Sequence, residues 1–94
     1  MAYVRKINDS KKSQLLAVIG KLLKEKRKEK DKGILLLGYE YDISASSIMQ
    51  LERGNRDVQI TTLWKLANAL GLSFTEFAQE VESRLPDGFK LIDD

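Results

Sequence analysis

Three observations predict an all-α fold of five helices. Apolar residues recur three and four apart along most of the chain, the period of a helix with one buried face. Helix-start residue types stand before these runs, and glycines or a proline stand after them. The segments between runs are short, which forces consecutive helices into contact.

The first helix starts near Asn8, Asp9 and Ser10, all N-cap residue types. Leu15, Leu16, Val18, Ile19, Leu22 and Leu23 then form one apolar stripe. Beyond Leu23 the pattern predicts a polar barrel to Lys30, with a stop at Asp31-Lys32-Gly33. The segment GILLLGYEYD is ambiguous, because its propensity also suits a strand. A short helix is preferred: no partner strand is visible, and a lone strand leaves its backbone groups unpaired. Ser44 caps a third helix with Ile48 and Leu51 on its inner face, and Gly54 ends it. Ile60, Leu63, Leu66, Ala67 and Leu70 define a fourth helix, closed by Gly71. Ser73-Phe-Thr-Glu76 fits a capping box and opens a fifth, which carries Phe74, Phe77, Ala78 and Val81. Pro86-Asp87-Gly88 stops it, and GFKLIDD follows as a tail with apolar anchors.

The chain has 94 residues, 43% of them hydrophobic, which suffices for one domain with a modest core. It contains no cysteine and no histidine. That removes disulfides, thiolate or imidazole metal sites, and His-dependent nucleophiles together. No metal, no cofactor and no catalytic residue is expected, and binding is favoured over catalysis. No apolar run approaches the ~20 residues that span a membrane. The segment MAYVRKINDSKK lacks the apolar core of a signal peptide. A cytoplasmic location is therefore expected, with no small-molecule ligand evident.

Net charge is +2, but it is unevenly spread. Residues 1–40 hold eleven Lys/Arg against five Asp/Glu, and residues 41–94 hold five against nine. Such asymmetry suits a polyanionic partner on one side. It is equally explained by a solvated helix end with charges paired one turn apart.

The stretch GILLLGYEYDISASSIMQLERGNRD carries the functional signal. Two short helices flank a tight turn at Tyr41-Asp42-Ile43. Leu37, Ile43, Ile48 and Leu51 can lock them at a fixed angle, and Gly38 permits close approach. Asp42 stands where a left-handed turn residue is needed. The second of these helices then projects Ala45, Ser46, Met49 and Gln50 outward, as a helix reading the major groove requires.

At these residues the sequence resembles the Cro/lambda-repressor-like (XRE) helix-turn-helix proteins. The resemblance rests on ISASSIMQLERGNRD and TTLWKLANALGLSFTEF, with Gly20, Leu23 and Arg27 in step upstream. It implies a lambda-repressor-like domain over residues 13–82, a basic arm over 1–12 and a tail over 83–94 that packs on the domain or at a dimer interface. It implies a transcriptional regulator, a repressor by default, bound to double-stranded DNA as a homodimer on a pseudo-palindromic operator, with RNA polymerase a further partner. Compact members of this kind also resemble restriction-modification controller proteins, with antitoxins a second subclass. Two positions depart from the pattern: Gly33 and Ile34 stand where Ser-Gln usually opens the second helix. That departure motivates an alternative, a protein-interaction module with weak or lost DNA binding.

Gln50 is the first candidate for base readout, since its amide can bond adenine in bidentate fashion. Ala45 and Ser46 match family positions at base edges. Ser44, Ser47, Arg53, Asn55 and Arg56 are candidates for phosphate contact, although a cap alone explains Ser44 and a turn alone explains Asn55. In the family, the Arg27 and Glu52 positions form a structural ion pair. Trp64, Phe74, Phe77 and Val81 are candidates for a dimer interface, against the alternative that the tail folds back on its own domain.

Overall fold

The computed structural model describes residues 4–93. Residues 1–3 of the expected arm and residue 94 of the expected tail lie outside the described residues. Five helices follow in order: α1 Asp9–Glu29, α2 Ile34–Tyr41, α3 Ala45–Glu52, α4 Ile60–Ala69 and α5 Phe74–Ser83. No strand forms among the described residues, and one isolated antiparallel bridge joins Ile7 to Ile92.

The Asn8 side chain accepts a hydrogen bond from the Lys11 amide at 3.0 Å and caps α1. Helix geometry therefore begins at Asp9, so residues 9–12 of the expected arm are helical. Asp9 in the first turn and Lys26, Arg27 and Lys28 in the last complement the helix dipole. The buried stripe of Ile19, Leu22 and Leu23 does not stop at Leu23. It continues to Arg27, a charged residue that is 8% exposed.

The ambiguous segment is helix. Helical spacing places Leu37 and Gly38 inward with Ile34 and Tyr41 beside them, whereas a two-residue period would split that set across two faces. Gly38 is required by contact: a Cβ there would collide with the Ile43 carbonyl. Asp42 adopts φ 54° and ψ 53° and turns the chain into α3. Gly54, at φ 71°, closes α3 in a Schellman arrangement, with Asn55 N–H donating to the Gln50 carbonyl at 3.0 Å and Gly54 N–H to that of Leu51 at 3.1 Å.

The core gathers Leu22, Leu37, Leu66 and Phe77, each almost fully enclosed, with Ile48, Leu51, Leu63, Ala67, Leu70, Val81 and Leu85 around them. Two expectations are corrected. Ile60 does not join the α4 inner face and is 60% exposed. Phe77 and Val81 belong to the core of this chain, 2% and 7% exposed, because they stand one turn apart on the face of α5 that packs against the other helices. They are thus not available as surface for a second copy. The tail packs on its own domain. Phe89 lies against the core, the Asn8 amide donates to the Leu91 carbonyl at 2.7 Å, and Lys11 pairs with Asp93 at 3.2 Å. No helix among the described residues is long and apolar enough to cross a membrane.

Candidate nucleic-acid interface

The outer face of α3 is the candidate interface, and three separate devices fix its position. The first is packing: Ile48 and Leu51 are buried, 2% and 3% exposed, and anchor the inner face. The second is a close approach to α1. A Cβ on Gly20 would lie 2.6 Å from the Glu52 carbonyl oxygen and would collide with that of Leu51, so α1 and α3 touch backbone to backbone. Sequence reasoning used Gly20 only as a family position. The signal available was a glycine inside an apolar helical stripe, which marks a packing need.

The third device is the Arg27–Glu52 pair. Arg27 Nε donates to Glu52 Oε2 at 2.6 Å and Nη2 donates to Oε1 at 2.8 Å. Arg27 Nη1 also donates to the Lys32 carbonyl at 2.9 Å. One guanidinium thereby ties the end of α3 to α1 and to the turn before α2. Both side chains are nearly enclosed, 10% and 6% exposed. The hydrogen bonds to Glu52 hold the Arg27 pKa above its usual value, against the opposing effect of burial.

With α3 held this way, its outward arc carries Ser46 and Met49 exposed and Ala45 and Gln50 half-buried. Ser44 caps the helix by accepting from the Ser47 amide at 3.0 Å. Its hydroxyl also donates to Ser47 Oγ at 2.7 Å, and Ser47 Oγ accepts from Arg56 Nη1 at 3.0 Å. The structure thus joins Ser44, Ser47 and Arg56 into one chain along one flank of α3. Asn55 and Arg53 are exposed at its C-terminal end. At the start of α2, Gly33 and Ile34 offer no side-chain cap and no polar side chain.

The dimer candidates separate. Trp64 is 51% exposed and stacks on Phe74, with ring centroids 4.5 Å apart and planes 7° from parallel. Trp64 lines a surface recess on α4 with Tyr41 and Ile60. Phe77 and Val81 lie behind them in the core.

The fold has counterparts among solved structures. The clp gene regulator ClgR from C. glutamicum superposes with a TM-score of 0.69 at 25% identity, covering 77% of this chain and 92% of that one. The restriction-modification controller protein C.Esp1396I, solved as a tetramer in complex with its natural 35 base-pair operator, gives a TM-score of 0.62 at 25% identity over 72% of this chain and 95% of that one. An HTH_3 family transcriptional regulator from Vibrio cholerae gives 0.67 at 29% identity, covering 77% of this chain and 41% of that one. No curated protein sequence matches the chain. The helix-turn-helix family HTH_3 matches residues 23–77, from the second half of α1 into α5. The chain belongs to that XRE-type helix-turn-helix family.

Proposed function

We propose that this chain regulates transcription in the cytoplasm by binding double-stranded DNA sequence-specifically, as a homodimer on a pseudo-palindromic operator. The observation that carries the reading is the rigid presentation of α3. Gly20, Ile48, Leu51 and the Arg27–Glu52 pair immobilise it, and its outward arc, Ala45, Ser46, Met49 and Gln50, is uncharged. In the major groove, Ala45, Ser46, Met49 and Gln50 meet base edges. Ser44, Ser47, Arg53, Asn55 and Arg56 meet phosphates, which supply affinity without sequence information. The recess of Ile60 and Trp64, with the exposed edge of Phe74, supplies the surface between copies, and half-sites lie about 34 Å apart. Repression by occluding RNA polymerase is the default consequence, and the protein acts by binding rather than by chemistry.

Selection of bound duplexes from random DNA tests this, with gel filtration to count subunits. A two-fold-related consensus and a dimer are expected. Failure to retain any duplex at low salt removes the reading.

A specific surface favours a second reading, a protein-interaction module or antitoxin-like partner. On α2, Leu35, Leu36 and Tyr39 are 79%, 50% and 88% exposed, an apolar outer face beside the bare start at Gly33. Salt dependence separates the two: DNA affinity falls with a slope of about −0.9 per phosphate contacted, and apolar docking does not.

A further inference from the structure

Three of the phosphate candidates, Ser44, Ser47 and Arg56, sit on one flank of α3, with Arg56 bonded to Ser47. The opposite flank, at Met49, holds Arg53, already a phosphate candidate, beside cations of α1 that have no role so far. Lys24, Arg27, Ile34, Met49, Glu52 and Arg53 line one recess. Arg27, Lys28, Asp31, Lys32 and Gly33 line the next. Two of the cations are already committed. Arg27 is held by Glu52 and by the Lys32 carbonyl. Lys32 Nζ bonds Glu40 at 2.8 Å and lies 5.6 Å from the centre of the Tyr41 ring. Lys24, Lys28 and Arg53 have no side-chain partner among the described residues, and all three are exposed. Lys24 and Lys28 stand one turn apart on α1. Of the two acids lining these recesses, Glu52 is neutralised by Arg27 and Asp31 remains.

We infer that Lys24, Lys28 and Arg53 form a second grip on the DNA backbone, on the wall of the major groove opposite the one held by Arg56. This rests on the DNA-binding reading of α3. The groove is about 12 Å wide and accepts a helix about 10–12 Å across, so the two flanks of α3 face phosphates of different strands. The α2 start, Gly33-Ile34, brings no polar side chain to this wall, so the charge there comes from α1 and the end of α3. The buried Arg27 sets the grip's position by fixing both elements on which the three cations stand.

The test uses the full chain on its selected duplex and on a random duplex, by salt titration and ethylation interference. The variant Lys24→Gln/Lys28→Gln/Arg53→Gln is compared with Arg56→Ala and the parent. The triple variant should flatten the log–log salt slope by about five on both duplexes, since three contacts are lost per protomer of the dimer at about 0.9 each. It should also erase one cluster of interfering phosphates per half-site, on one strand. Arg56→Ala should erase a cluster on the other strand. Parental slope and parental interference in the triple variant, while the parent binds, overturn the second grip and leave the reading of α3 intact. Loss of the same cluster in both variants also overturns it. A parent with no salt-dependent duplex binding removes the DNA reading and the grip with it.

Discussion

Arg27 and Glu52 meet through two parallel hydrogen bonds, 2.6 and 2.8 Å long, although they stand 25 residues apart. Both side chains are nearly excluded from water. Removing one partner of such a pair leaves a buried charge uncompensated, which costs more than the pair itself contributes. Glu52→Ala should therefore destabilise the fold by about 3–5 kcal/mol, measured by urea unfolding. A loss below about 1 kcal/mol, the range of exposed pairs, would show that Arg27 finds water instead.

The approach of Gly20 to α3 predicts a second sensitive position. Its missing Cβ leaves room for the carbonyls of Leu51 and Glu52, which are backbone atoms and cannot rotate away. Gly20→Ala should cost about 1–3 kcal/mol through overpacking, outweighing the gain in helix propensity of roughly 1 kcal/mol. A more stable variant by thermal melt would show that α1 and α3 part without cost.

Gln50→Ala tests base readout. It should cost about 1–3 kcal/mol on the selected duplex and relax preference at one base position. An equal loss on every sequence would remove Gln50 from the reading set.

Arg56→Ala tests the phosphate flank. Binding should weaken by a similar factor on all duplexes, with the salt slope reduced by about two, one contact per protomer of the dimer. An unchanged slope would leave Arg56 with only its bond to Ser47.

Stability should be flat through neutral pH and fall in acid. The chain has no histidine, so no side chain has an ordinary pKa between pH 5 and 8. Three carboxyls are held below their usual range. The Glu25 shift comes chiefly from the hydrogen bond to Arg84, that of Glu76 from the Ser73 amide, and that of Asp93 from the Asn8 side chain. A depressed folded pKa adds stability that is complete above the unfolded pKa, about 4. That contribution disappears as pH falls through the lower, folded value. The melting temperature should hold from pH 8 to about 5 and drop below about 4, and Glu76→Gln should shrink the drop. An unaltered profile would exclude the capping box as a source.

Local physics made most of the helices legible before any packing was known. Ser44 and Ser73 cap because a hydroxyl can satisfy an orphan amide within one turn. Asp42 and Gly54 turn left-handed at helix ends, a conformation that Gly adopts freely and Asp tolerates. Arg27 and Glu52 were legible through resemblance, since nothing local links residues that far apart. Burial was the weak point. Ile60, Phe77 and Val81 share the same apolar character and helical spacing, yet only the last two face inward.

The sequence by itself determined four of the five helices and the uncharged face of α3, because each depends on contacts within a turn or two, while the α2 segment suited a strand as well. Only the tertiary structure decided which apolar residues were consumed by the core, where α1 and α3 touch, and which cations stayed unpaired. Those outcomes depend on how helices far apart in sequence are oriented. A periodic pattern states that a face exists, and does not state what will cover it.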